Sequence, residues 1–274
     1  MARCYVGVDG CRAGWVAVTR APNGRLVARL FAQIANLAEV FKHAERIFID
    51  VPMGLPWAGV PVRPCDRLAR TILGTPRHAS VFPLPCREAL AARDLSEAQR
   101  INVQQLGRSI GLQTWRIAPL VSAVDRLLLN RSTHNRPTIR EVHPEVCFWA
   151  LAGQRPMAHR RKTSEGRVER LSVIERFEPA VHQLLAQAAE NAWRDVQVDD
   201  VLDATVAFIT AEAVHGDLVS LASSPSHDLE GLPMEMFYLN TESTTVMNTS
   251  PVSIAQHSIG ECASAAPVPH IGQH

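Results

Sequence analysis

The stretch CYVGVDGCRAGWVAVTRAPNGRLVARLF (4–31) decides the fold predicted for this chain. Its apolar run CYVGV (4–8) predicts a buried strand, and the alternating segment WVAVT (15–19) predicts a second one. The Asn-Gly pair at 23–24 is typical of a tight hairpin turn, after which RLVARLF (25–31) is expected to form a third strand. The chain is therefore predicted to open with a three-stranded antiparallel meander.

Helical and strand patterns alternate downstream of the meander. IANLAEVFKHA (34–44) has apolar residues at helical spacing, whereas RIFIDVP (46–52) and TIREVHP (138–144) predict strands that end near a proline. Further helices are predicted near 64–73, over 88–107 with a break near Asp94, and over 112–130, 145–152, 166–191 and 198–216. A meander that leads into α/β units favours a mixed sheet, partly antiparallel and partly parallel, with helices on its faces.

The 274 residues suit one domain with an insertion rather than two domains of equal size. The Pro- and Arg-rich segment 53–87 begins a helical and irregular insertion, which we place at about 53–137 within a domain spanning 1–240. Residues 241–274 are rich in Ser, Thr, Ala and Pro and nearly uncharged, so we expect a disordered tail.

The charge balance and the apolar pattern exclude several classes of protein. The 28 basic residues against 27 acidic ones give a net charge of +1, which argues against a protein that coats nucleic acid by charge alone. No apolar run approaches the length of ~18 residues that would predict a membrane span. The amino terminus lacks a signal-peptide pattern and the six cysteines are scattered, so we expect a cytoplasmic protein with reduced thiols.

Two aspartates follow apolar strand segments in equivalent positions. Asp9 ends the first predicted strand, and Asp50 stands near the end of the fourth. Ligands of α/β proteins collect outside the strand ends, so neighbouring strands would bring these two carboxylates together. Either aspartate alone is equally typical of a turn, because Asp9 precedes Gly10 and Asp50 comes just before Pro52. The pair favours a functional site.

The last predicted helix and the strand near 140 supply further acids. Asp200 and Asp203 lie three residues apart and share one helix face, and helix capping accounts for Asp203 less well than for Asp199. In the segment EVHPE (141–145), Glu141 and His143 point to one face of a strand. Glu145 in the same segment begins the next helix, where the helix dipole by itself favours an acid.

Hard oxygen ligands without clustered cysteines or histidines predict Mg²⁺ or Mn²⁺ rather than zinc. Two such ions held by several carboxylates would support in-line attack of water at phosphorus. No P-loop occurs in the sequence. The predicted metal ligands are Asp9, Asp50, Asp200 and Asp203, and the predicted catalytic set adds Glu141.

Basic stretches lie close to the acids along the chain. RPMAHRRKTSEGRVER (155–170) has six basic and two acidic residues, and Lys162 within it is a candidate phosphate contact. The alternative for this stretch is a solvated helix start. Ser80 and Arg87 from the insertion, together with His143, complete the predicted substrate contacts.

The motifs VGVDG, FIDVP and DDVLDA, in this order, resemble the acid motifs of the ribonuclease-H-like superfamily. With RPCDRLAR, SVFPLPCREAL, EVHPEVCFWALAG, KTSEGRVERL and GLPMEMFY, they resemble the family of predicted RNase-H-like nucleases known as domain of unknown function 429, over about residues 4–238. The resemblance implies a ribonuclease-H-like fold and a nuclease activity that is itself inferred for that family. The stretch HRRKTSEG departs from the pattern, because Arg161 stands where a second lysine is expected.

Three functions remain open from the sequence. The first is a metal-dependent nuclease that cleaves DNA or RNA with two Mg²⁺ or Mn²⁺ ions. The second is a catalytically silent binding module with the same fold. The third is an actin-like or sugar-kinase-like nucleotide-binding domain, because VGVDG also resembles the first phosphate loop of that fold. The chain has only 15 glycines and shows no second DxG loop, which argues against the third function.

Overall fold

The computed structural model describes residues 3–130, 138–191, 193–213 and 217–241. Its main sheet has five strands in the order β3-β2-β1-β4-β5. These strands are β1 Tyr5–Cys11, β2 Gly14–Arg20, β3 Leu26–Phe31, β4 Arg46–Ile49 and β5 Thr138–Glu141. The helices are α1 Ile34–Val40, α2 Pro64–Arg77, α3 Arg87–Leu90, α4 Leu95–Leu106, α5 Leu112–Leu129, α6 Pro144–Leu151, α7 Ser164–Glu175, α8 Val181–Glu190 and α9 Val198–Glu212.

The first three strands form the predicted antiparallel meander. Strand β1 pairs with β2 and β2 with β3, both antiparallel. The tight turn between β1 and β2 requires Gly14, because its φ is +125° and a Cβ there would lie 2.2 Å from the Phe31 carbonyl oxygen. The mixed α/β class predicted from the sequence is therefore confirmed.

Strands β4 and β5 extend the sheet in parallel with β1. Val8 lies opposite Ile49 in the β1–β4 pair, and Ile49 lies opposite Glu141 in the β4–β5 pair. The carboxyl ends of all three strands consequently meet at one edge of the sheet. Asp9 lies in β1 just beyond its last pair with β4, and Asp50 follows β4, so both are brought to the same edge.

Helix α9 packs directly on β1 on one face of the sheet. A Cβ on Gly7 would lie 2.0 Å from the Phe208 backbone nitrogen and 2.2 Å from the Ala204 carbonyl oxygen, so only glycine allows this approach. Side chains alternate along a strand, and Asp9 therefore faces α9 as Gly7 does. The opposite face is covered by α1 and α5, which pack on a core that includes Val8 and Ile49.

The structure divides some predicted helices differently. The helix predicted over 166–191 is two helices, α7 and α8, interrupted by a segment that contains Pro179. The break predicted near Asp94 is confirmed, because the Asp94 carboxylate caps α4 by accepting from the Glu97 backbone N–H at 2.8 Å. Pro119 lies inside α5 without ending it.

Four short strands after α9 were not predicted from the sequence. They are β6 Leu218–Ser220, β7 Ser226–His227, β8 Pro233–Met234 and β9 Phe237–Leu239. They form two small antiparallel pairs, β6 with β9 and β7 with β8. The predicted tail beyond residue 241, the end of the insertion at 131–137 and the predicted helix end at 214–216 lie outside the described residues. Within the described ranges, every helix is too short or too polar to cross a membrane.

Candidate functional site

A cavity of about 320 Å³ lies at the carboxyl edge of β1, β4 and β5. The cavity wall carries the charged and polar side chains of Asp9, Asp50, Asp66, Arg77, Ser80, Glu141, His143, Glu145, Arg161 and Asp203. The same wall also includes the apolar side chains of Phe82, Leu84, Ile117 and Leu120. A compact ligand with polar and apolar parts would match this mixed lining.

Three of the predicted acids, Asp9, Asp50 and Asp203, come from β1, the end of β4 and α9 and meet in this cavity. Burial raises the pKa of Asp9 well above its ordinary range, and the negative charges of Asp50 and Asp203 raise it further. Burial also raises the pKa of Asp203 to about 7. Burial raises the pKa of Asp50, whereas His143, Arg161 and a hydrogen bond with Asp9 oppose the shift. Added positive charge near these carboxylates would oppose the upward shifts in their pKa values.

Several buried polar atoms of this wall have no hydrogen-bond partner among the described residues. They are Asp9 Oδ2, Asp203 Oδ1, Glu145 Oε2 and His143 Nδ1. Buried polar atoms without partners are rare in folded proteins because their desolvation is not repaid. Three of the four are carboxylate oxygens, which are the donors that Mg²⁺ and Mn²⁺ prefer, so the chemistry of these residues suits such an ion. Their oxygens are not gathered within 4.8 Å of one another, so an ion here would bind few of them directly and complete its shell with water.

Glu145 was set aside in the sequence analysis because the dipole of α6 explains an acid at that position. In the structure it lies on the cavity wall near the first turn of α6. Its Oε1 accepts a short hydrogen bond from Arg170, and its Oε2 has no partner within the described part of the chain. Its charge raises the pKa values of Asp50 and Asp203, and no spacing pattern in the sequence distinguished this role.

Arg161 is a second residue that the sequence analysis did not assign to the site. Its Nη1 donates to Asp203 Oδ2 in a short contact, and its side chain lines the same cavity. The charges of Asp203, Asp9 and Asp50 all raise the pKa of Arg161. The excess of basic residues in 155–170 was the available signal, and it pointed to Lys162 instead.

Glu141 lies on the cavity wall, but its carboxylate is already bound. Arg63, which is fully buried, donates to Oε1 at 2.5 Å and to Oε2 at 2.9 Å. The Met53 backbone N–H donates to Oε2 at 2.7 Å. Burial raises the pKa of Glu141 to about 7, against the opposing charge of Arg63. In this arrangement Glu141 holds the loop after β4 in place.

Cys65, Asp66 and Glu141 offer ligand atoms within 4.8 Å of one another, a spacing that could hold a metal ion. The Arg63 guanidinium lies among them, 2.9 Å from Asp66 Oδ1 and 3.0 Å from Cys65 Sγ. The positive charge of Arg63 already balances the negative charge of these carboxylates, so we assign no metal ion to Cys65, Asp66 and Glu141.

Asp200 and Lys162 lie outside the first cavity, in an adjoining depression of about 360 Å³. Asp200 Oδ2 accepts from the Gln197 backbone N–H at 2.8 Å and completes a capping box at the start of α9. Arg12 and Arg167 line the same depression. Gly10 borders both cavities, so a ligand in the first could extend into the second.

The remaining predicted substrate contacts divide between the cavity and the scaffold. Ser80 and His143 line the first cavity, with His143 Nε2 lying 3.4 Å from the Ser80 carbonyl oxygen. Arg87 lines neither cavity and instead binds Asp125 through two hydrogen bonds of 2.9 and 2.8 Å and Asp228 through one of 2.6 Å. The structure thus uses Arg87 to join α3, α5 and the loop after β7.

Comparisons with known proteins bear on the family alone. Neither the curated proteins nor the solved structures contain a significant match to this chain. One family model, described as protein of unknown function (DUF429), matches residues 7–228, which include all the acids of the cavity. Since this match covers most of the chain, the protein belongs to the DUF429 family, as its sequence motifs predicted.

Proposed function

We propose that this protein is a metal-dependent phosphodiesterase of ribonuclease-H-like architecture that cleaves DNA or RNA. The observation that carries the proposal is the meeting of Asp9, Asp50 and Asp203 in one buried cavity, where oxygens of Asp9 and Asp203 lack partners. A meander followed by parallel strands and an acidic closing helix supports the ribonuclease-H-like assignment.

The metal would be Mg²⁺ or Mn²⁺, held by Asp9, Asp50 and Asp203 with Glu145 beside them. A divalent ion bound by such oxygens supplies an activated water and neutralises charge that develops at phosphorus. The chain itself supplies the remaining parts of the site. The carboxylates orient the ion, and Arg161 and Arg77 provide positive charge on the same wall for a phosphodiester.

Lys162 is the cation that supports a local phosphate contact. The chain as a whole is nearly neutral, and in the depression beside the acids Arg12 pairs with Asp195 and Arg167 with Asp199, which leaves Lys162 as the candidate contact. A nucleic-acid strand with one phosphate in the acidic cavity would place its next phosphate near Lys162, because Gly10 borders both cavities. The apolar side chains of Phe82 and Leu84 on the cavity wall suit the face of a base or a sugar.

One observation favours a second candidate, a catalytically silent module that binds nucleic acid. The ion pair between Arg161 and Asp203 partly neutralises the acids without any metal. In a silent module this pair would be permanent and divalent ions would not bind.

A Mn²⁺ titration of the metal-free protein by calorimetry, followed by cleavage of labelled single-stranded and duplex oligonucleotides, tests the proposal. We expect binding and Mn²⁺-dependent cleavage, both lost in Asp9→Asn. Glu190→Gln removes an exposed acid on α8 and serves as the matched control. Metal binding without cleavage of any nucleic acid would exclude a nuclease, and no metal binding would favour the silent module.

A further inference from the structure

We propose that the Arg161 guanidinium takes the position of a second cation, so that the free protein binds one divalent ion in this cavity and not two. The inference rests on the proposed function, because it concerns the same metal site. It departs from the pair of ions predicted from the sequence. It assigns Arg161 as a residue that determines the metal content of the site.

The contact between Arg161 and Asp203 is the first observation. Asp203 is completely buried, and its Oδ2 is occupied by the Arg161 Nη1–H. Only the other oxygen, Oδ1, has no partner among the described residues. Two ions would compete with the guanidinium for Asp203, whereas one ion can use the free oxygen while the ion pair persists.

The loop that carries Arg161 is held firmly in place, which distinguishes this arginine from a mobile surface side chain. The backbone N–H groups of Ala158 and His159 donate to the Glu169 carboxylate at 2.7 and 2.9 Å. Arg77 Nη1 and Arg170 Nη1 donate to the His159 carbonyl oxygen at 3.1 and 3.2 Å. These contacts tie the loop to α7 and α2.

The carbonyl group just before Arg161 is fixed by the start of α7. The Arg160 carbonyl oxygen accepts from the backbone N–H and the hydroxyl of Thr163 at 3.1 and 3.0 Å. A Cβ at Gly166 would lie 1.9 Å from that oxygen, so only glycine lets α7 approach this closely. The guanidinium is therefore directed into the cavity by the backbone.

The charge balance is the second argument. Asp9, Asp50 and Asp203 carry three formal negative charges against the one positive charge of Arg161, and Arg170 separately pairs with Glu145. One divalent ion neutralises the remaining formal charge of −2. Two ions would leave an excess of +2 in the absence of substrate, which is costly in a poorly solvated site.

Three buried carboxylate oxygens lack partners in the described residues, on Asp9, Asp203 and Glu145. A single Mg²⁺ or Mn²⁺ commonly takes only a few protein oxygens and completes its shell with water. Among the described residues only Cys65, Asp66 and Glu141 bring three ligand atoms within 4.8 Å of one another, so a single ion beside Asp9 and Asp203 would take one or two of these free oxygens directly and the rest of its shell from water. The guanidinium supplies the other positive charge near the phosphate.

The test is the number of Mn²⁺ ions bound by the full-length, metal-free protein, measured by calorimetry and by electron paramagnetic resonance. We expect one ion for the wild type and two for Arg161→Met, with a spin-coupled pair showing that both ions share one cavity. Arg161→Lys retains the charge and should bind one. Arg160→Met removes the neighbouring exposed arginine and should also bind one.

Arg161→Gln provides a second neutral variant that keeps a hydrogen-bond donor for Asp203, should the methionine variant fold poorly. Two ions in the wild type, or one ion in both folded neutral variants, would overturn the inference while the metal site itself stands. No ion in the wild type would overturn the proposed function and this inference together. We further expect the affinity for the first ion to rise by at least about tenfold in Arg161→Met, because a repelling charge is removed.

Discussion

Two arginines meet buried carboxylates on the wall of the same cavity, but their surroundings differ. Arg63 is fully buried and binds Glu141, Asp66 and the carbonyl oxygens of Met53 and Gly54. Among the described residues, Arg161 binds Asp203 alone, and its side chain is 38% exposed. Both oxygens of Glu141 have donors, whereas Asp203 Oδ1 has none among the described residues.

This difference separates a structural ion pair from a functional one. A buried carboxylate with all its hydrogen bonds made stabilises the fold around it and has no capacity left for a ligand. A buried carboxylate with an oxygen left unpaired lowers the stability of the free protein, and a ligand can recover that loss. The Arg63 group therefore belongs to the scaffold and the Arg161 group to the proposed metal site.

The largest expected effect concerns stability on removing each arginine. Arg63→Met should lower the free energy of unfolding by about 3–5 kcal/mol, because it leaves two buried carboxylates without a cation. Arg161→Met should lower it by less, because Asp203, although buried, has a pKa raised to about 7 by its burial and can take up a proton when the arginine is removed. Urea unfolding at pH 7 measures both. Equal losses would remove the distinction between the two groups.

The second prediction compares two acids of the cavity. Asp9→Asn should abolish Mn²⁺ binding and lower any cleavage activity by orders of magnitude. The metal-free variant should nevertheless be at least as stable as the wild type, because the substitution relieves repulsion among buried acids. Glu141→Gln should instead lower the free energy of unfolding by roughly 1–3 kcal/mol, because it breaks the buried pair with Arg63. A metal-free Asp9→Asn protein that unfolds more easily than the wild type would contradict this view.

The third prediction concerns pH. The pKa values of Asp203, at about 7, and of Asp9 lie above those of unfolded aspartate, so the folded protein binds more protons than the unfolded chain. This contribution to the stability of the metal-free protein is complete below about pH 4 and is lost as the pH rises through 7.

Thermal melts from pH 4 to 8 without metal compare the wild type with Asp203→Asn. The variant should lose less stability over this range, and Mn²⁺ should stabilise the wild type most at high pH, where the carboxylates are ionised. Parallel curves for the two proteins would show that Asp203 does not titrate in this window.

The smallest expected effect concerns substrate binding. Lys162→Ala should flatten the dependence of log Kd on log salt concentration by roughly 0.7–0.9, the contribution of one phosphate contact. Arg87→Ala should leave that slope unchanged, because Arg87 is bound by Asp125 and Asp228 away from both cavities. Titrations of a labelled oligonucleotide with Asp9→Asn as the inactive background measure the slopes. A flatter slope for Arg87→Ala would show that Arg87 does contact the substrate.

Sequence reasoning was most successful where the structure depends on neighbours along the chain. The meander follows from alternating apolar residues and an Asn-Gly turn, and the end of β4 follows from a short apolar run. Asp9 and Asp50 were recognised because each follows an apolar run, although β1 continues past Asp9 to Cys11. Pro179 indicates the break between α7 and α8, but the helical spacing of apolar residues on both sides of it led to the prediction of one continuous helix.

The sequence by itself determined that a mixed sheet would gather acids at the carboxyl ends of its parallel strands, because side-chain alternation and strand direction are properties of local segments. Only the tertiary structure decided which acids remain free. Arg63 and Glu141 are 78 residues apart, and Arg161 and Asp203 are 42 residues apart. Such pairs form only when distant elements pack together. Burial then makes a missing hydrogen-bond partner costly in free energy. Whether a carboxylate has all its hydrogen-bond partners is therefore a property of the folded chain.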